Sequence, residues 1–389
     1  MNASLAPESS KRPVRRMLKY SIVAVCFSRK MSLMSYFSHK RHHNASQVSS
    51  AKLKAATRRV MAHYVRSSYT LLDIPVTEGY CMAALDTHVG DNKRPVIMLM
   101  HGFGGGFPLW IGQIDPLVAK GYRVIAMDWL GMGGSSRPPF NKRTVCEKDE
   151  KNETKEYEKP EAFFIDALEL ARLEMKVTNM NLVGHSLGGY LSAQYARKYP
   201  KHVKRLMLVS PVGVPIPKTT SLESKNSKKS LSVQLALWAW QANFTPQHII
   251  RALSESRGQN YLQIMLQRRF PNVFHDVTGS LYMSDYLYQI SVAQASGEYA
   301  MNSLLTMHVD DNARPQIVAR EPIATFIDDI KMPKCLLFGD RDWLYHPDIP
   351  AVVEQSPSTE WFRVPSAGHH IYFDNPSVFH QHLETFLNQ

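Results

Sequence analysis

The sequence predicts an α/β fold, a mostly parallel sheet with helices on both faces and an inserted, mainly helical cap. Three observations carry that expectation. From residue 95 onward, short apolar runs alternate with amphipathic stretches, as strands buried on both faces by crossover helices require. The segment NLVGHSLGGY (181–190) sets a Gly-x-Ser-x-Gly turn between one such run and one such stretch. A long block, 217–333, then breaks the alternation with helix-like apolar and aromatic sequence. At 389 residues, 44% hydrophobic and 10% aromatic, the chain can bury a substantial core.

Taken in chain order, residues 1–72 form a basic arm. They hold fourteen Lys or Arg and one acid, Glu8, leaving 32 of the 46 basic and 33 of the 34 acidic residues for 73–389. The net charge of +12 is therefore a property of the arm. A basic arm on a neutral body suits an anionic membrane or an import receptor better than a nucleic-acid groove. Being Arg- and Ser-rich and nearly acid-free, it reads first as a mitochondrial presequence and is expected to be poorly ordered. Its early apolar run YSIVAVCF (20–27) falls well short of the about 20 residues a spanning helix needs.

The core is expected in two parts, 73–216 and 334–389, on either side of a cap at 217–333. Its strands are PVIMLM (95–100), RVIAMDW (123–129), MNLVGH (180–185), RLMLVSP (205–211), KCLLFGD (334–340) and the more polar EWFRVP (360–365). AFFIDALELARLEM (162–175) and LGGYLSAQYARKYP (187–200) are amphipathic helices, and PSVFHQHLETFLNQ (376–389) opens with Pro as a closing helix should. CEKDEKNETKEYEKPE (146–161) is a solvated loop. The cap opens with the polar KTTSLESKNSKKS and continues as LSVQLALWAWQANF and SLYMSDYLYQISVAQ. Cys26, Cys81, Cys146 and Cys335 are scattered, so neither a disulfide framework nor a metal site is expected.

Gly184-His185-Ser186-Leu187-Gly188 lies where a strand turns sharply into a helix, which demands small residues on either side of the serine. There the hydroxyl stands at the carboxyl end of the sheet over a helix N-terminus, which favours developing negative charge. A serine hydroxyl needs a base, and the base an orienting acid, and on this kind of turn they follow in the order Ser, acid, His. Asp342 follows the strand KCLLFGD, and His369 follows EWFRVP. Asp340 is the competing acid, at the strand end and facing the neighbouring loop. His370 is the competing base, with the Ala-Gly turn before it favouring His369. MLMHGFGGG (98–106) sets a Gly-rich turn after an apolar strand, so the N–H groups of Phe103 and Leu187 can form an oxyanion hole. This chemistry calls for no cofactor and no metal.

With these residues the chain, from about residue 90 to its end, resembles a family of α/β-hydrolase lipases. The family includes the N-acyl-phosphatidylethanolamine lipase, the lipid-droplet coactivator of triglyceride lipase and the fungal mitochondrial cardiolipin deacylases. HGFGGGFPLW, MDWLGMGGSSRP, NLVGHSLGGYLSAQYARKYP, SGEYAMNSLL and SAGHHIYFDNP carry the likeness. The resemblance implies a phospholipase or lysophospholipase acting through an acyl-enzyme. It also links His369-x-x-x-x-Asp374 to acyl transfer onto lysophosphatidic acid. The coactivator branch lacks the elbow serine that is present here as Ser186. The competing expectation is a droplet adaptor that activates a triglyceride lipase without using its own serine. The coactivator's Trp-rich anchor has no counterpart, since no Trp precedes Trp110. Membrane or, as second choice, lipid-droplet attachment then falls to AKLKAATRRVMAHYVR (51–66). There Leu53, Ala56, Val60 and Tyr64 line one helical face amid Lys52, Lys54, Arg58, Arg59 and Arg66.

Overall fold

The computed structural model describes residues 45–77, 79–140, 160–216, 231–309 and 315–389. The chain divides into a unit of residues 1–49, described only at its last five positions, and a body of residues 50–389. The first forty-four residues, most of the loop expected at 146–161 and the polar opening of the cap lie outside the described residues.

Eight strands form one sheet in the order β1-β2-β4-β3-β5-β6-β9-β10. They are β1 (Thr70–Thr77), β2 (Tyr80–Asp86), β3 (Val96–Met100), β4 (Arg123–Met127), β5 (Met180–His185), β6 (Val203–Val209), β9 (Lys334–Gly339) and β10 (Thr359–Val364). β1 and β2 join antiparallel at one edge, and the other six run parallel. Ile97 and Leu99 of β3 point into one apolar cluster and Met98 and Met100 into another, so the strand is buried on both faces. The six parallel strands are the six expected from apolar runs. β1 and β2 were not expected.

Helices α1 (Ala45–Tyr64), α2 (Ile111–Ala119), α3 (Ala162–Glu174) and α4 (Leu187–Lys198) belong to the first part of the chain. The insertion supplies α5 (Leu231–Gln241), α6 (Pro246–Ala252), α7 (Glu255–Arg269), α8 (Val277–Val292) and α9 (Met301–Leu304), then a hairpin of β7 (Leu305–Val309) and β8 (Pro315–Ala319). The chain closes with α10 (Ile349–Glu354), α11 (Ile371–Asp374) and α12 (Pro376–Asn388).

The expectation of a poorly ordered arm through residue 72 is corrected in its last third. Leu53, Ala56, Val60, Met61 and Val65 are buried in the same cluster as Ile97, Trp110, Phe274 and Met283. The apolar face read as membrane-facing thus packs on this protein's own core and cap, with Tyr64 half-buried at its end. Lys52 pairs with Glu255 at 3.2 Å, Arg59 with Asp285 at 2.5 Å and Lys54 with Asp73 at 2.7 Å. A periodic apolar face demands burial; it does not say against what. Among the described residues no helix is long and apolar enough to cross a membrane.

Candidate active site

Ser186 sits between β5 and α4 with φ 56° and ψ −120°, a left-handed conformation that costs a non-glycine residue about 1–3 kcal/mol. The surrounding backbone enforces it. A Cβ at Gly184 would lie 2.5 Å from the Gly188 carbonyl oxygen, and one at Gly188 would lie 2.3 Å from that of His101. The Ser186 amide donates to the Val209 carbonyl at 2.9 Å, pinning the turn to β6.

The hydroxyl of Ser186 donates to Nε2 of His369 at 2.9 Å, and Nδ1–H of His369 donates to Oδ1 of Asp342 at 3.1 Å. The three side chains picked from chain order therefore meet. Burial raises the pKa of Asp342, but the hydrogen bond and charge of His369, with the Leu344 amide, outweigh it and leave the carboxyl below its ordinary value. The competing acid does other work: Asp340 accepts from the amides of Ser366 and Ala367 at 3.0 and 3.1 Å and so shapes the turn that presents His369. The competing base, His370, stacks against Phe373 with rings 9° from parallel, and burial followed by the neighbouring His369 pushes it down to about 3.

The loop after β3 lies directly on the serine, since a Cβ at Gly102 would come 2.9 Å from Ser186 Cβ. Phe103 follows on that loop and Leu187 opens α4, whose first amides have no partner within the helix. Asp374 does not join His369. Its carboxylate grips Arg269 of α7 at 2.6 and 2.8 Å and accepts the Gly368 amide at 2.8 Å.

Three residues escaped sequence reasoning. His185, 2% exposed, donates Nε2–H to the His369 carbonyl at 2.9 Å, and Tyr372 O–H approaches its Nδ1 at 3.4 Å. Burial holds its imidazole well below the usual histidine range. Asp128 accepts from the amides of Phe107 at 2.5 Å and Gly134 at 2.7 Å, tying the oxyanion-side loop to its neighbour. Burial raises Asp128 to about 7. His101 accepts from the Trp129 amide at 3.2 Å, and burial lowers it to about 4. Their only sequence signal was a polar residue inside a motif. Among the described residues no three His, Cys, Asp or Glu side chains cluster as metal ligands, and Cys81 and Cys335 are free thiols.

A mostly parallel sheet, a strained serine turn after β5 and a helical insertion after β6 define an α/β hydrolase. The α/β-hydrolase fold family model matches residues 95–376, and the chain belongs to that family. It is 32% identical over 299 residues to the 1-acylglycerol-3-phosphate O-acyltransferase of Arabidopsis thaliana, covering 74% of this chain and 65% of the relative. It is 29% identical over 300 residues to the human (lyso)-N-acylphosphatidylethanolamine lipase, covering 75% and 79%. The chain thus spans about two-thirds of the plant relative's length. In fold it is similar to a bacterial membrane phospholipase A, at TM-score 0.55, 22% identity and coverage of 87% and 91%. It is also similar to a carboxylesterase from Bacillus subtilis, at TM-score 0.56, 16% identity and coverage of 87% and 98%.

Proposed function

We propose that the protein is a serine hydrolase that releases acyl groups from phospholipids or lysophospholipids through an acyl-enzyme. The observation that carries the reading is the relay Ser186–His369–Asp342, at 2.9 and 3.1 Å, on a strained turn. Ser186 attacks the acyl carbonyl as its proton passes to Nε2 of His369, and Asp342 steadies the imidazolium that forms. The Phe103 and Leu187 amides hold the oxyanion, each such donor contributing about 3 kcal/mol. His369 then returns the proton to the departing alcohol, and water, activated by the same imidazole, frees the acid. A lysolipid hydroxyl that reaches the acyl-enzyme in place of water accepts the acyl group, so hydrolysis and transfer share one intermediate. The names of the plant and human relatives, an acyltransferase and a lipase of related phospholipids, support that substrate class. The sequence of residues 1–44, with nine Lys or Arg and one acid, supports attachment to an anionic membrane, the mitochondrion being the first address and the lipid droplet the second.

A fluorophosphonate probe with purified protein and Ser186→Ala tests the chemistry. Wild type should label and hydrolyse lysophospholipid, while S186A should do neither yet melt like wild type. Ester hydrolysis near the wild-type rate in S186A overturns the assignment, and an unlabelled wild-type serine favours a non-catalytic adaptor.

A further inference from the structure

α7 and α8 form an antiparallel pair, laced by Gln259 to Asp285 at 2.8 Å and by Gln263 and Gln267 to Ser280 at 3.1 Å each. Gly258, Leu262 and Leu266 occupy the inner side of α7, and Gly279, Met283 and Leu287 that of α8. Helical spacing then turns Tyr261 and Ile264 outward on α7, and Val277 and Leu281 are exposed on α8. Those four side chains are 55%, 41%, 60% and 47% exposed, an unusual outlay of apolar surface for one pair of helices.

The charges on this face have one sign once partners are matched. α1 lies alongside α8, joined through Arg59 to Asp285 and His63 to Asp276 at 2.8 Å. Lys52 answers Glu255, so each acid of α7 and α8 already has a base of α1 beside it. Arg269 is taken by Asp374 and Lys54 by Asp73. Arg257 and Arg268 remain exposed, with no acid in an ion pair with them among the described residues. Arg257 and Arg268 lie on the same outward side of α7 as Tyr261 and Ile264, one toward each end.

We infer that the outer face of α7 and α8 is the surface on which this protein docks to an anionic lipid bilayer. Tyr261, Ile264, Val277 and Leu281 enter the headgroup boundary while the two arginines meet lipid phosphates. This rests on the lipid-hydrolase reading and deepens it by naming the face that meets the substrate's own phase. The site is close at hand. α7 ends at Arg269, which holds Asp374 and, through it, the Gly368 amide next to His369. Phe270, one residue on, meets His370 and Phe373 edge to face, with both pairs of ring centroids 5.2 Å apart.

The test is flotation of the full chain with vesicles of phosphatidylcholine alone and of equimolar phosphatidylcholine and phosphatidylglycerol. Wild type should float with the mixed vesicles and be released by salt. Arg257→Glu with Arg268→Glu should weaken partition at least about 30-fold, about fivefold for each lost charge. Ile264→Ser with Leu281→Ser should weaken it about tenfold or more. Both double variants should keep wild-type hydrolysis of a water-soluble ester. Wild-type flotation by both variants overturns the proposal and assigns membrane binding to the basic segment before α1. A wild-type dimer in light scattering that I264S/L281S dissolves, with flotation unchanged, overturns it in favour of a second copy of the chain. Loss of soluble-ester hydrolysis in wild type itself strikes the catalytic reading and leaves the docking result to stand separately.

Discussion

Adding one methyl group at Gly188 tests how tightly the nucleophile turn is built against the oxyanion loop. The new Cβ would lie 2.3 Å from the His101 carbonyl oxygen and 2.9 Å from that of Met100. Carbon and oxygen approach to about 3.3 Å, so α4 and the end of β3 must part by about 1 Å. Both clashing atoms are backbone, and no rotamer change relieves them. Overpacking of this kind costs about 1–3 kcal/mol, which a domain with a stability of about 5–15 kcal/mol survives. Catalysis is less forgiving, because the displaced segment runs straight into Gly102 and Phe103. A misplacement of about 1 Å can cost about a hundredfold in rate.

Gly188→Ala should therefore melt cooperatively at a modestly lower temperature while kcat on a soluble ester falls about a hundredfold or more. Gly189→Ala is the matched control. Its methyl would meet the Gly184 oxygen and the Pro211 side chain at 3.1 Å each, contacts that a few tenths of an ångström relieve. It should keep kcat within a few-fold. Gly112→Ala meets nothing within 4 Å on α2 and should add up to about 1 kcal/mol of stability with unchanged activity. Equal kcat values for G188A and G189A would refute the claim that the turn and the oxyanion loop are a single close-packed unit.

Truncation and pH give two further tests. Removing residues 1–44 should alter cellular location and leave a folded, active enzyme. Removing 1–66 strips Leu53, Val60, Met61 and Val65 from the core, each contributing about 1.5–3 kcal/mol, and should give insoluble protein; soluble, active protein from the longer deletion refutes the docking of α1. His370, pushed down to about 3, is neutral in the fold and ordinary, about 6.5, when unfolded. A lowered value means its contribution is complete above about 6.5 and drains as pH falls toward 3, about 2 kcal/mol by pH 5. Asp128, raised to about 7, gains stability over the same fall, while His101, lowered to about 4 and 3.6 Å away, loses it, so that pair roughly cancels. His370→Gln should thus remove about 2 kcal/mol of the acid-side loss in urea titrations, and an unchanged pH slope refutes the argument.

What the sequence disclosed divides along physical lines. Five of the six parallel strands were legible because they are largely buried on both faces, which leaves apolar runs such as VIMLM, whereas β10, half-exposed along most of its length, was legible only as the more polar EWFRVP. β1 was not legible: TLLDIPVT is a half-exposed edge strand with Asp73 outward and Pro75 in its run. The hairpin β7–β8 was hidden the same way inside a block whose helices dominate its composition. In the site, the nucleophile turn is local and so could be read locally, and chain order then located acid and base. Asp340 and Asp342 lie two residues apart on one turn, and their different partners follow from where Ser366 and His369 fall in space. His185 could not be assigned at all, since its hydrogen-bond partner is 184 residues away.

Asp374 poses the sharpest contest between a motif and a geometry. The family resemblance links it with His369 to acyl transfer, whereas the fold turns its carboxylate to Arg269 and the Gly368 amide. In that position it braces the loop carrying the base against the cap helix and favours neither water nor a lysolipid as acceptor. Its side chain is 9% exposed, but Arg269 is 44% exposed, so screening limits the ion pair to about 1 kcal/mol. Asp374→Asn keeps an oxygen for the Gly368 amide and loses the charge that holds Arg269. Acyl-enzyme formation and both routes out of it use the same His369, so hydrolysis and transfer to lysophosphatidic acid should fall by one common factor. Their ratio, measured from radiolabelled acyl donor in a single reaction, should not move. Transfer abolished while hydrolysis stays at its wild-type rate would return Asp374 to the motif and refute the bracing role.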